Sequence, residues 1–332
     1  MKTFIHKQFW AVLLVAFALV LSNCARKPAG GSAAGGENAE GGGNKKTVGF
    51  SQMENNGPWR IAETKSMRDE AAKRGYELIV TDAQAATSKQ VSDVEDLIAR
   101  RVSAIFLAPR EFEGLAPALA AAKAAKIPVF LIDREAAGKA GEDYVTFIGS
   151  NFVEEGHRAG DWVVKNTDGK AGVIILEGTA GSSVALDRNK GFTDAIKASP
   201  EIKVIASQTA NFTRAEGQKV MENLIQAHGK NITVVYTHND EMALGAIQAL
   251  KAANMKPGTE VLVVSVDGQK SALEAIVAGD MNVTVECNPR FGPIAFDTYE
   301  KFLKGEQIPL KIIVPDKFFD KGNAAQFVAE AY

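Results

Sequence analysis

Polar side chains with binding chemistry recur directly after short apolar runs. Thr47–Ser51 leads into Glu54-Asn55-Asn56-Gly57-Pro58-Trp59-Arg60, and Val129–Ile132 ends in Asp133-Arg134. Gly172–Leu176 ends in Glu177, with Arg188 some ten residues on. Lys203–Ser207 leads to Asn211-Phe212-Thr213-Arg214, Val234–Thr237 to His238-Asn239-Asp240, and Val261–Val266 to Asp267-Gly268. If each apolar run is a strand, these are strand ends. From them Trp59, Arg60, Asp133, Arg134, Arg188, Phe212, Asn239 and Asp267 are the candidate ligand contacts. Carboxylates accept from hydroxyls, arginine donates from a planar fork and an asparagine amide does both. An aromatic face covers the C–H face of a ring. The set suits a neutral polyhydroxyl ligand.

Each residue also has a plainer use. Asp133, Asn239 and Asp267 could cap the helices that follow. Trp59 and Phe212 could be core, and Arg188 could lie on a helix surface. Only their shared placement favours a site. Catalytic patterns are missing: there is no Gly-x-Gly-x-x-Gly, no Gly-x-Ser-x-Gly and no His-Glu-x-x-His, and no Gly-Lys-Ser/Thr follows Gly178–Gly181. His238 lacks a nucleophile beside it. The cysteines are two, Cys24 and Cys287, which excludes a disulfide framework or a cysteine-rich zinc site. Cys287 reads as a buried structural thiol. No cofactor and no metal are expected. With 38 basic against 40 acidic residues, the net charge of −2 argues against nucleic acid.

The elements that must position these residues alternate regularly. Besides the runs above, strands are predicted at Glu77–Thr81, Ala104–Ala108, Val145–Gly149, Asn282–Glu286 and Ile312–Pro315. Helical patterns fill the gaps: Trp59–Arg74, Ser88–Arg100, Leu115–Lys126, Glu154–Asn166, Val184–Lys197, Arg214–Ala227, Glu241–Ala253, Ser271–Ala278 and Gly292–Lys304. Continuous apolar strands alternating with helices mean doubly wound parallel sheets, with ligands beyond the strands' carboxyl ends. The length, at about 150 residues per domain, allows two. Val94–Arg110 (VEDLIARRVSAIFLAPR) and Met221–Asp240 (MENLIQAHGKNITVVYTHND) share one order of features, a weak echo of two similar lobes.

The amino terminus reads as an address. Lys2 and Lys7 precede 13 uncharged residues, Phe9–Leu21, too few for the roughly 18 or more of a membrane span. The run ends in Leu21-Ser22-Asn23-Cys24, which resembles the lipobox of bacterial lipoproteins. That resemblance implies a signal peptide over 1–23 and a lipid on Cys24. Seven glycines between Ala25 and Lys46 make 24–46 a flexible tether.

From Thr47 to about Lys317 the chain resembles the type I periplasmic sugar-binding proteins of ABC importers, the ribose-binding-like group. The resemblance is carried by Val48-Gly49-Phe50-Ser51-Gln52, Phe130-Leu131-Ile132-Asp133-Arg134, the run Ala185–Phe192, His238-Asn239-Asp240-Glu241-Met242 and Val266-Asp267-Gly268. Trp59-Arg60, Phe212-Thr213-Arg214 and Tyr236-Thr237 make it most similar to the galactofuranose binders. The resemblance implies an α/β fold of two doubly wound Rossmann-like lobes joined by a three-strand hinge. The lobes would be 47–149 plus 288–315 and 150–287 plus 316–332. Trp59, Arg60, Asp133 and Arg134 would meet the sugar from the first lobe. Arg188, Asn239 and Asp267 would meet it from the second, with Phe212 on the ring. Ribose binders carry a Gln where Cys287 stands and two aromatics at the Trp59-Arg60 pair, so ribose itself is not expected. The implied protein is a monomeric, non-enzymatic lipoprotein of a bacterial envelope. It would deliver a monosaccharide, galactofuranose-like or a related hexose or pentose, to an ABC permease and its ATPase. The alternative is a sensory protein presenting the same closed form to a chemoreceptor or sensor kinase.

Overall fold

A computed structural model describes residues 46–332; the expected signal peptide, Cys24 and nearly all of the expected tether lie outside the described residues. Among the described residues the strands are β1 (Thr47–Gln52), β2 (Glu77–Asp82), β3 (Ile105–Leu107), β4 (Val129–Ile132), β5 (Thr146–Gly149), β6 (Lys170–Glu177), β7 (Glu201–Thr209), β8 (Val234–Thr237), β9 (Leu262–Asp267), β10 (Val283–Glu286), β11 (Lys311–Ile313) and β12 (Phe318–Asp320). The helices are α1 (Gly57–Lys73), α2 (Thr87–Ala99), α3 (Ala116–Ala124), α4 (Phe152–Asn166), α5 (Ser183–Ile196), α6 (Arg214–His228), α7 (Asp240–Ala252), α8 (Lys270–Ala278), α9 (Gly292–Leu303) and α10 (Ala324–Phe327).

The strands form two six-stranded sheets, ordered β2-β1-β3-β4-β5-β11 and β7-β6-β8-β9-β10-β12. The first is wholly parallel. The second is parallel except for β12, which runs antiparallel to β10. The two orders match strand for strand, so the repeated stretches, α2 into β3 and α6 into β8, occupy equivalent places. This is the type I periplasmic binding protein fold of two α/β lobes. The strand interiors show why contiguous apolar runs were needed. Phe130, Leu131 and Ile132 of β4 are all buried, because helices cover both faces of the sheet.

Neither β12 nor α10 was expected. Three residues, Phe318-Phe319-Asp320, are too few to show a period. A tertiary exchange places them instead. The Glu286 N–H donates to the Lys317 carbonyl and the Lys317 N–H to the Glu286 carboxylate, both at 2.9 Å.

The first sheet packs Phe50, Phe106 and Phe130 against Phe296 and Tyr299 of α9. A second apolar cluster lies under α6 and α7. A third is continuous from the α2–α3 side of the first sheet to the α4–α5 side of the second. It crosses where Phe147 meets Phe152 edge-on at 6.4 Å. The chain passes between sheets three times: between β5 and α4, between β10 and α9, and between β11 and β12. The first and third passages are tied together: Ser150 Oγ donates to Asp316 Oδ1, and Arg158 donates to the Asp316 carbonyl, both at 2.9 Å.

Candidate functional site

The carboxyl ends of the two sheets border one cleft of about 220 Å³. All eight residues singled out from the sequence line it.

Trp59 and Arg60 stand in the first turn of α1, which opens with Gly57-Pro58. Gly57 takes φ +74°, a conformation that favours glycine, and proline suits a first helical turn. The Trp59 ring lies half-buried against Phe291, and its Nε1–H donates to the Cys287 carbonyl at 2.8 Å. That bond joins α1 to the segment after β10. The Arg60 guanidinium sits 4.5 Å from the centre of the Trp59 ring. It donates to Glu63 Oε2 at 2.9 Å and lies 2.7 Å from Asp133 Oδ2. Burial opposes its charge, and Asp133 and Glu63 outweigh burial, so Arg60 is raised above the usual arginine value.

Asp133 follows β4 with φ 64°, a left-handed conformation held at some cost. No helix starts there, so the capping use does not apply. Arg134 donates to the Arg110 carbonyl at 2.8 Å and lies over the Phe212 ring at 5.3 Å. Burial beside Arg60 pulls Arg134 down, yet an arginine stays charged at neutral pH.

On the other side Arg188 is buried inside α5 rather than on its surface. It donates to Glu155 Oε2 at 2.7 Å, to Asp267 Oδ1 at 3.3 Å and to the His238 carbonyl. Asp267 has φ 128° and is not a cap, since Gln269 takes that place for α8. Burial raises Asp267 well above the usual carboxylate range against the pull of Arg188, with Asp240 and Glu155 adding. Asn239 does cap: its Oδ1 accepts from the Met242 N–H at 3.0 Å and its Nδ2 donates to the Phe212 carbonyl at 3.1 Å. Phe212 is half-buried, with φ 61°, and a Cβ on Gly178 would stand 1.9 Å from its ring.

Cys287, Arg214 and Glu241, none of them chosen as a contact from the sequence, also line the cleft. Cys287 is buried as expected, but it sits at the cleft rather than in the interior of a lobe. Arg214 pairs with Glu241 in a two-pronged contact, 3.1 and 2.6 Å, and Gln269 donates to the same carboxylate at 2.8 Å. Both are within two residues of a chosen contact, Phe212 or Asn239, a signal that was available. The lining then holds four arginines (60, 134, 188, 214) and four carboxylates (54, 133, 241, 267), a charge balance without preference for an ion. His238 lies buried behind the lining, its Nδ1 accepting from the Gly178 N–H at 3.3 Å. Burial and Arg188 push it down to about 3, so it is neutral. Away from the three passages the lobes touch: the Phe112 N–H donates to the Gly181 carbonyl at 2.9 Å and the Glu135 N–H to Ser183 Oγ at 3.0 Å. Among the described residues no group of three or more His, Cys, Asp or Glu could hold a metal ion.

Comparison with known proteins fits this architecture. Residues 48–307 match the family model described as a periplasmic binding protein domain. The chain belongs to this family. Galactofuranose-binding protein YtfQ of Escherichia coli K12 is 45% identical over 269 residues, 80% of this chain and 85% of that protein. A crystal structure of a galactofuranose binding protein superposes with a TM-score of 0.84 at 42% identity, over 86% of this chain and 98% of that one. The periplasmic binding component of the arabinose ABC transporter from Shewanella sp. ANA-3, bound to α- and β-L-arabinofuranose, gives 0.83 at 40%, over 86% and 95%. The chain is thus a periplasmic sugar-binding protein of the ABC-transporter type and not an enzyme.

Proposed function

We propose that this periplasmic binding protein captures a monosaccharide in its five-membered ring form and serves an ABC importer. The observation that carries the reading is the cleft itself: balanced arginines and carboxylates drawn from both sheets, with an indole and a phenyl ring among them. Such a lining offers donors and acceptors to hydroxyls and apolar faces to a ring, while favouring neither an anion nor a cation. The furanose form is supported by relatives whose names or bound ligands are galactofuranose and arabinofuranose.

In this reading Trp59, Arg60, Asp133 and Arg134 hold the sugar from one lobe, and Arg188, Asn239 and Asp267 hold it from the other, with Phe212 against the ring. The lobes are residues 47–149 with 288–315 and residues 150–287 with 316–332. They close about the three passages and present the closed face to a permease. Closure follows ligand because the contacts come from both sides and form together only in the closed form. Residues 1–23 direct export, and a lipid on Cys24 keeps the protein at the envelope through the 24–46 tether.

Calorimetric titration with galactose, arabinose, ribose and the methyl furanosides and pyranosides of the first two tests the ligand. Tight binding of furanosides with weak or no binding of the matching pyranosides is expected. Equal affinity for both ring forms would remove the furanose assignment. Cys24→Ala should move the protein from the membrane to the soluble fraction.

A further inference from the structure

Two buried glutamates stand behind the cleft arginines, and neither lines the cleft. Glu63 is 0% exposed and Glu155 1%. Each directs one carboxyl oxygen at an arginine. Glu63 Oε2 accepts from Arg60 Nη1 at 2.9 Å and from Gln52 Nε2 at 2.8 Å. Glu155 Oε2 accepts from Arg188 Nε at 2.7 Å. In both, Oε1 is buried without a hydrogen-bond partner. The cleft aspartates reach the same arginines from the other side. Asp133 Oδ2 is 2.7 Å from Arg60 Nη2, and Asp267 Oδ1 accepts from Arg188 Nη2 at 3.3 Å.

We propose that Glu63 and Glu155 are positioning residues: they fix the guanidinium planes of Arg60 and Arg188 from behind, so that Asp133 and Asp267 each engage their arginine through one carboxyl oxygen and keep the other for ligand hydroxyls. A guanidinium has five donors in one plane, so two anchored donors set the direction of the rest. Without the glutamates each arginine would be free to turn onto both oxygens of its aspartate, and the ligand would lose an acceptor and a directed donor together. The proposal rests on the sugar-binding reading and deepens it.

The arrangement has a pH signature. Glu63 is faced by Gln52 from β1, by Arg60 from its own helix, and by Asp133 and Arg134 after β4. Burial, opposed by Arg60 and helped by Asp133, pushes Glu63 up to about 7. Protonation near neutrality therefore weakens the grip, and Glu63→Gln imitates the protonated form.

The test uses the full-length protein, Glu63→Gln and Glu155→Gln, titrated at pH 6 and 8 with the best-bound sugar of the panel above, beside thermal melts and NMR of the arginine guanidinium groups. Both variants should keep the fold and lose roughly tenfold in affinity at pH 8, the scale of one hydrogen bond to a charged group. Wild type should weaken toward pH 6 and approach Glu63→Gln, whose own change between pH 6 and 8 should be the smaller. Arg60 and Arg188 guanidinium rotation should quicken in the respective variant. Folded variants that bind like wild type at pH 8 would overturn the proposal. So would a fall in melting temperature with the affinity of the folded fraction unchanged, since the glutamates would then be structural alone. If wild type binds no sugar in the panel, the proposed function fails separately and the arginine spectra decide: faster rotation supports positioning, unchanged rotation overturns it.

Discussion

The two sides of the cleft use the same three charges in different ways. On the first side arginine and glutamate, Arg60 and Glu63, are three residues apart on α1, and Trp59 supports the guanidinium from the neighbouring position. One helix therefore builds most of the grip. On the second side Glu155 belongs to α4 and Arg188 to α5, 33 residues apart. That grip exists only if the two helices pack closely, and glycines allow it. A Cβ on Gly156 would stand 2.2 Å from the Arg188 carbonyl oxygen, and one on Gly191 would stand 1.9 Å from that of Val153. The local arm should tolerate disturbed packing, and the assembled arm should not.

The largest effect should come from testing this directly with a matched pair. Gly191→Ala forces α4 and α5 apart; Gly292→Ala does the same between α9 and α1, where the new Cβ would meet the Ser66 carbonyl oxygen at 2.2 Å. Each should cost about 1–3 kcal/mol by denaturant unfolding, the usual scale for overpacking. Only Gly191→Ala should also weaken sugar binding by the folded fraction, because Arg188 and Glu155 separate while Arg60 and Glu63 ride on one helix. Equal affinity losses in the pair would break the comparison.

Next in size are the aspartates. Asp267→Asn should weaken binding roughly 10- to 150-fold, on about 1.5–3 kcal/mol for a charged hydrogen bond. Asp133→Asn should lose less, since Arg60 keeps Glu63 and Trp59. Titration of both variants checks the order, and a reversed order would place the stronger acceptor on the first side. Trp59→Phe is smaller again: it keeps an apolar face but loses the Nε1 bond to the Cys287 carbonyl, about 0.5–1.5 kcal/mol, or roughly three- to tenfold in affinity. Trp59→Ala should lose more. If both Trp59 variants lower only the melting temperature, the indole is core.

The smallest effect is on stability against pH. Burial pushes Glu63 and Asp240 up to about 7 and Asp316 up to about 8. The native state therefore holds more protons than the unfolded chain below those values, and stability falls as pH rises through them. His238 acts in the opposite sense, but only between about 3 and its ordinary 6.5. From pH 6.5 to 8 the carboxyls act without it, so the melting temperature should drop over that interval. Asp316→Asn, in the passage shared by the lobes, should flatten the drop; a flat wild-type curve would show that these groups are not raised.

The sequence by itself was enough to locate every described strand but β12, and the residues at their carboxyl ends. A strand buried on both faces must be a contiguous apolar run, so its end is marked by the first polar residue. In a doubly wound sheet that end borders the ligand crevice. Asp133, Asn239 and Asp267 were therefore visible as positions, though not in use. Backbone conformation and the start of the next helix decided that Asn239 caps while the two aspartates do not. Cys287 was legible from its residue type only as buried, and as a position at the ligand only through the family resemblance, because its place follows from where the chain passes between sheets. Glu63 and Glu155 gave no signal: a glutamate within a helical pattern reads as solvated surface, and only the packing of α1 under Asp133 and of α4 against α5 removes it from water. Sequence periodicity reports what one element needs to bury. Which charges meet across elements is decided by tertiary contact, because a buried carboxyl is tolerable only where a partner arrives from elsewhere in the fold.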